Sequence, residues 1–388
     1  MFSFKLGVEN ISFSLIKKIC NTNQKKYKVG LITNQTGVDQ LGKRTIEILQ
    51  NNGCTVEVIF TPEHGLTGIA AGENVDNSVD ELTGIPIIGL YRNGSGKTDT
   101  FASYAHTIDI LFFDIADSGM RHYTYISTLL QSMERAVEYN KHFVVLDRPN
   151  PLGGFMQGPC VEDDLFSFIS IASIPLRHGM TIGEIAWYFN KYVLKKPAQL
   201  HVVTMSNYDR SNGFSNDLLY QLSPNLRSLQ SCYGYSFLGL LGEIDPFDVG
   251  IGTEMAFRCI TISESRDIAE SVWEKLQKVL AIYDIKTYPY RYMNTKKNMY
   301  SRGLRLEFVT NKIRSFDVLL DILDCFKNTE VPLICSKTFD KAIGTKKIQA
   351  LMTKTYSRKQ LCDEICSDLI NFQRKAKYCF LYQPFPFL

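Results

Sequence analysis

At 388 residues the chain is longer than one hydrophobic core usually serves, so two domains or subdomains are expected. Hydrophobic residues make up 45% and charged residues 21%, the balance of an ordinary globular protein. A net charge of +3, with both signs interspersed, argues against a dedicated nucleic-acid or membrane-surface binder and leaves room for a small polar or anionic ligand.

The N-terminal stretch MFSFKLGVENISF carries Lys5 and Glu9 where a secretory leader needs an unbroken apolar run. No stretch approaches the roughly 18 apolar residues of a membrane span. A cytoplasmic protein is therefore expected.

Strands are predicted at 28–33 (KVGLIT), 55–60 (TVEVIF), 85–91 (IPIIGLY), 108–115 (IDILFFDI) and 142–147 (HFVVLD), with helices over 43–52 and 124–140. The strands are apolar without alternation, as a parallel sheet covered on both faces requires. Alternating β and α elements predict a Rossmann-like, doubly wound, mostly parallel α/β sheet. Residues 151–253 read as loop-rich, with a short helix over 181–190 introduced by the capping-box spacing Thr181 to Glu184. Beyond about 255 come a helix at 267–282, strands near 286–290 and 303–309, and helices at 315–327 and 358–376. This pattern predicts a catalytic domain over 1–254 and a smaller α+β C-terminal domain over 255–388.

In such sheets ligands bind beyond the carboxyl ends of the strands. Four strand ends here are rich in polar residues, Gly and Pro: Asn34 to Gly37, Thr61 to Gly65, Asp114 to Tyr125, and Asp147 to Pro151. They are expected to meet in one crevice.

The ten cysteines are scattered, none in a CxxC pair, and Cys362 and Cys366 lack histidines at ligand spacing. No metal site is predicted, and free thiols are expected. The string Gly94-Ser95-Gly96-Lys97-Thr98 looks like the end of a P-loop, but Tyr91 stands where the first glycine is needed to turn the chain around phosphates. It is read as a solvated loop. No GxGxxG follows the first strand either, so no nucleotide cofactor is expected.

Glu63 is the leading catalytic candidate, at a strand end between Pro62 and His64-Gly65, where a turn can hold its carboxyl toward a cleft. Glycosidic cleavage needs such an acid to protonate the leaving oxygen. Asp117, in DIADSGMRHYTYIST, reads either as the second carboxylate or as the cap of a helix beginning near Arg121. Tyr123 and Tyr125 can stack on a sugar or belong to the core. Arg148 and the pair Arg177-His178 lie near the same strand ends, and either arginine could receive an anionic substituent.

These segments together resemble the NamZ family of exo-acting muramidases. The resemblance rests on GLITNQTGVD (30–39), PEHGLTG (62–68), DIADSGMRHYTYIST (114–128), VVLDRPNPLGG (144–154), PLRHGMTIGE (175–184), SPNLRSL (223–229), FDKAIGT (339–345) and RKAKYCFLY (374–382), in order along nearly the whole chain. It implies a Rossmann-like catalytic domain, a smaller C-terminal domain and a cleft between them. The implied reaction is release of N-acetylmuramic acid from the non-reducing end of peptidoglycan-derived glycans or muropeptides. The glutamate of the family's PEHG motif falls on Glu63. Asn34, His64, Asp117, Arg121, Tyr123, Tyr125, Arg148, Asn150, Arg177, His178 and Glu243 fall on motif positions expected to line the site.

Two departures stand out. Where the family pattern reads EGTNLSEGRGT, this chain reads EIDPFDVGIGT over 243–253. Glu243, Gly250, Gly252 and Thr253 persist, while Pro246, Val249 and Ile251 replace the Asn, second Glu and Arg. Ala116 stands where Gln is usual. If the lost Glu and Arg formed a pair shaping the loop, Val249 and Ile251 replace it apolarly. If they touched substrate, the chain is a degenerate homologue that binds sugar or a partner without turnover.

Overall fold

A computed structural model describes residues 3–21, 24–69, 75–91, 101–212, 221–295 and 298–383. The Gly94–Thr98 string lies outside the described residues. The first half holds β1 (Tyr27–Thr33), β2 (Cys54–Thr61), β3 (Ser78–Val79), β4 (Pro86–Gly89), β5 (Ile110–Asp114), β6 (His142–Leu146) and β7 (Gln199–Val203). Its helices are α1 (Phe13–Cys20), α2 (Thr45–Asn51), α3 (Ala102–Ala105), α4 (Tyr125–Glu138) and α5 (Ile182–Tyr192).

The seven strands form one sheet in the order β3-β4-β2-β1-β5-β6-β7, all parallel except the short edge strand β3. The chain winds outward from β1 to β2 and β4, then returns to β1's other side for β5, β6 and β7. The switch point of this doubly wound sheet lies between β1 and β5, where Thr33 pairs with Asp114.

Strand residues alternate between two cores. Val29, Leu31, Ile110, Phe112, Val144 and Leu146 pack with Ile16, Ile19, Ile46 and Leu49 of α1 and α2. Ile32, Leu111, Phe113, Phe143 and Val145 face α4 and α5 through Ile126, Leu129, Met133, Ile185 and Phe189. Burial on both faces explains why the strands carry no alternation in sequence. The capping box at α5 forms as its spacing predicts, with Thr181 Oγ1 accepting from Glu184 N and Glu184 Oε2 accepting from Thr181 N.

The second half contains α6 (Leu229–Leu241), β8 (Ile244–Asp245), β9 (Cys259–Ser263), α7 (Glu270–Ile282), β10 (Ile285–Asn294), β11 (Met299–Phe308), α8 (Ser315–Phe326), β12 (Ile334–Cys335), α9 (Phe339–Ile343), α10 (Lys347–Met352) and α11 (Arg358–Ala376). Strands β10, β11 and β9 form an antiparallel sheet, and β8 pairs with β12. The α+β character matches expectation, but α6 and β7 appear within a stretch read as loops. Helix α6 packs on β11 and α8, ahead of the expected boundary near 255.

Candidate active site

The four polar strand ends do not contribute alike. Asn34 follows β1 and Asp117 follows β5, so both stand at the switch point, while Glu63 follows β2, two residues beyond Thr61. Pro62 ends β2, and then His64 and Gly65 both take left-handed backbone conformations, φ 68° and 74°. A left-handed histidine costs about 1–2 kcal/mol, and such strain persists where the surroundings enforce it. The result is a tight turn that keeps Glu63 and His64 half-buried at the sheet's edge.

Thr124 meets this turn. It occupies the N-cap position of α4 but makes no side-chain cap bond. Its hydroxyl instead donates to Glu63 Oε2 at 2.8 Å. The Glu63 carboxyl therefore lies at the positive end of a fourteen-residue helix, which favours negative charge there.

Asp117 is held from behind. Its Oδ2 accepts from Gly119 N at 2.7 Å and lies 3.1 Å from His178 Nε2. Met180 N donates to His178 Nδ1 at 3.2 Å, so the buried imidazole is the neutral Nε2–H tautomer and donates to Asp117. Asp117 Oδ1 is buried with no partner. Asp117 does not cap a helix, because α4 starts only at Tyr125.

Other buried polar atoms around these carboxylates are likewise unsatisfied. Asn34 Oδ1 accepts from Thr36 N and Oγ1, but Asn34 Nδ2 has no partner. The Tyr125 hydroxyl is likewise buried without a hydrogen-bond partner among the described residues. Burial pushes the Tyr125 phenol up to about 12, and the Glu63 and Asp117 carboxylates push the same way. Both ring nitrogens of His122 are unpartnered, and burial followed by Arg121 lowers this imidazole to about 3, which keeps it neutral. Unsatisfied buried groups concentrated at one switch point point to a site for a polar ligand.

The aromatic wall is larger than the sequence indicated. Tyr123 packs edge-on against Tyr125 at 4.7 Å and Tyr235 at 5.8 Å, while its hydroxyl donates to Leu222 O. Tyr235 stacks on His122 at 4.8 Å and meets Phe257 at 4.9 Å. Burial raises the Tyr235 phenol, and the Asp117, Glu63 and Glu243 carboxylates push the same way. Sequence reasoning missed both Thr124 and Tyr235. A Thr just before a helix is a readable cap signal, whereas nothing local marks Tyr235.

Four expected site residues turn inward instead, and the expectation that they line the cleft is corrected. Arg121 is fully buried and donates to the carbonyls of Pro159, Ile174, Ala342 and Ile343 and to Ser170 Oγ. Arg148 forms a buried two-pronged pair with Asp114 at 2.5 and 2.8 Å, and Thr45 also donates to that carboxylate. Arg177 donates to the carbonyls of Ile313, Leu152 and Asn311. Asn150 bridges Met180 O and Leu152 N. These side chains satisfy buried carbonyls and carboxylates at chain crossings.

Glu243 stands between the two roles. It accepts from the hydroxyls of Ser336 and Thr338 while acting on Tyr235. Within the altered loop, Val249 is buried against Gly242 and Ile251 is 46% exposed. The two replacements therefore do not form an apolar pair. Gly250, at φ 75°, admits no Cβ, which would lie 2.8 Å from Met255 O. All ten cysteines are free, and no metal-ligating cluster occurs among the described residues.

The chain matches known proteins along both halves. The family profile described as exo-beta-N-acetylmuramidase NamZ, N-terminal, matches residues 29–230, and its C-terminal counterpart matches 233–382. The chain belongs to the NamZ family. The peptidoglycan beta-N-acetylmuramidase NamZ of Bacillus subtilis (strain 168) is 42% identical over 238 residues, 60% of this chain and 56% of that protein. The match thus spans a little over half of that NamZ protein's length. A DUF1343 family protein of Bacteroides fragilis NCTC 9343 superposes with a TM-score of 0.80 at 30% identity, covering 98% of this chain and 99% of its own. A second from the same organism gives 0.77 at 23% identity with the same coverage, a likeness of fold alone.

Proposed function

We propose that this NamZ-family chain is an exo-β-N-acetylmuramidase that releases N-acetylmuramic acid from the non-reducing end of peptidoglycan-derived glycans during cell-wall turnover. The observation that carries the reading is the Glu63 carboxyl, fixed by the left-handed turn and by the Thr124 hydroxyl beside unsatisfied polar groups at the switch point. The β-N-acetylmuramidase activity for which the Bacillus subtilis relative is named supports the substrate class.

In this reaction Glu63 passes its proton to the leaving glycosidic oxygen as the bond to the anomeric carbon breaks; water then bonds to that carbon, and the proton it loses restores the Glu63 carboxyl. Asp117, oriented through His178 and Gly119, supplies the negative charge that stabilises the cationic sugar. Tyr123, Tyr125 and Tyr235 provide the aromatic wall, and Asn34 and His64 complete the rim. The test is hydrolysis of a chromogenic β-N-acetylmuramide. The wild-type chain should turn it over, and Glu63→Gln should fold normally but lose at least about a hundredfold in kcat. A fully active Gln variant removes Glu63 from this role, and a wild-type chain without turnover removes the reading itself.

A further inference from the structure

A separate cavity of about 440 Å³ lies along α11, walled by the 159–163 segment and by Thr345. Arg121 donates to Pro159 O at 2.7 Å and closes off this side of the molecule from the Glu63 turn. The floor is apolar and includes Val161, Leu361, Ile365 and Phe372. Tyr188 is part of it, 7% exposed and packed on Phe372 at 5.0 Å. Among the described residues the Tyr188 hydroxyl has no hydrogen-bond partner, and Tyr188 lines the cavity. A nearly buried donor left open to a cavity is a place for a ligand's carbonyl or other acceptor.

The rim charges are arranged unevenly. Lys347 is already engaged, 2.6 Å from Glu364 and 3.4 Å from Glu162. Asp163 and Asp368 have no cation partner among the described residues, and neither has Lys375 an anion partner. Asp368 and Cys160 both line the cavity. Along α11, Asp368 and Lys375 are seven positions apart, about 10 Å at the helical rise. A three-residue extended peptide spans about the same distance between its termini.

We propose that this cavity binds a short zwitterionic peptide, its amine between Asp163 and Asp368, its carboxylate at Lys375, and a backbone carbonyl on the Tyr188 hydroxyl. The match is of charge sign, spacing and depth together. Apolar side chains cover the floor, while each charged end meets an uncommitted opposite charge. The binding readout does not involve turnover, so the outcome is independent of the muramidase reading.

Isothermal titration of the full chain with trialanine tests the assignment, beside N-acetyl-trialanine and trialanine amide. Trialanine should bind saturably, and acetylation, amidation, Asp368→Asn and Lys375→Ala should each weaken it at least about tenfold. Tyr188→Phe should weaken it less, since one neutral hydrogen bond is lost. Asp368 and Lys375 are exposed on the helix, so both variants should unfold at the wild-type temperature. Absence of saturable binding at about 10 mM trialanine, or binding of N-acetyl-trialanine and trialanine amide equal to that of trialanine, overturns the proposal.

Discussion

The Thr124 hydroxyl is the contact through which the start of α4 acts on Glu63. A donor to a carboxylate favours its ionised form, so removing the donor raises that carboxyl's pKa. Thr124→Val keeps the shape and removes the bond. We expect kcat to fall about tenfold, the range for losing a hydrogen bond to a charged group, with KM little changed. If Glu63 is the proposed acid, the basic limb of the pH–rate profile should move to higher pH. A lower kcat with an unmoved limb would assign Thr124 to structure alone.

The arginines behave differently. Arg148→Ala leaves Asp114 buried beside Thr45 without its counter-charge, and the expected loss is about 3–5 kcal/mol of stability. Chemical denaturation measures this directly. If Arg148 acts only through Asp114, surviving activity should change equally on muramide and glucosaminide substrates. At this scale the tight turn that holds Glu63 was legible in sequence, because proline, glycine and a strand end surround it. The arginines were misread because a strand end carries buried chain crossings as well as ligand contacts, and the residue type alone does not separate the two.

Elements were legible where burial is one-sided or strands are bounded by turn residues. Helix α11 was expected at 358–376 and forms over Arg358–Ala376, where Leu361, Ile365, Leu369 and Phe372 form one apolar stripe. Helix α6 was missed for the opposite reason. It is buried on nearly every side, so its sequence LQSCYGYSFLGLL has no polar face to reveal a period, and its two glycines read as loop. Tyr235 was lost with it. Gly234 and Gly239 are required by close packing, since a Cβ on Gly234 would lie 1.7 Å from Phe257 O and one on Gly239 would lie 2.9 Å from His122 and Tyr235.

The 243–253 loop also belongs to this scale. Because Val249 is buried and Ile251 exposed, restoring the family's Glu and Arg together would mix two effects. Val249→Glu should cost several kcal/mol by burying a charge without a partner. Ile251→Arg should leave stability unchanged within about 0.5 kcal/mol and isolates the functional question. An unchanged kcat/KM in that single variant is expected if the family's Arg shaped the loop. A gain of about tenfold would instead show that this chain has lost about 1.4 kcal/mol of transition-state binding at that position.

Three clamps join the two halves into one body, and none was visible from local patterns because each joins residues far apart in sequence. Arg121 ties the switch-point connection to Ala342 and Ile343, and Arg177 ties Leu152 to Asn311 and Ile313. The third is made by the end of the chain. Leu381 N donates to Glu184 Oε1, which also receives Arg210, while the Tyr382 hydroxyl donates to Asp147 Oδ2 at 2.6 Å and accepts from Met205 N at 2.9 Å. Asp147 is fully buried, and burial raises its carboxyl to about 6 despite donation from Tyr382, Gly183 and Thr181.

Tyr382→Phe should therefore destabilise the whole molecule through a residue in its last described turn. The ring still packs, but the ionised Asp147 loses a donor and its pKa rises further. That cost, about 1–3 kcal/mol, is felt while the carboxylate is charged, at and above about pH 6. Below that pH the folded protein holds Asp147 protonated, and the gap between variant and wild type should narrow. For a chain of this length about 2 kcal/mol corresponds to a Tm shift of about 2–3 °C. Calorimetry at pH 5 and pH 8 should show one shared transition for both halves, with the larger shift at pH 8. Two separate transitions, or an equal shift at both pH values, would mean that the C-terminal clamp does not couple the halves through Asp147.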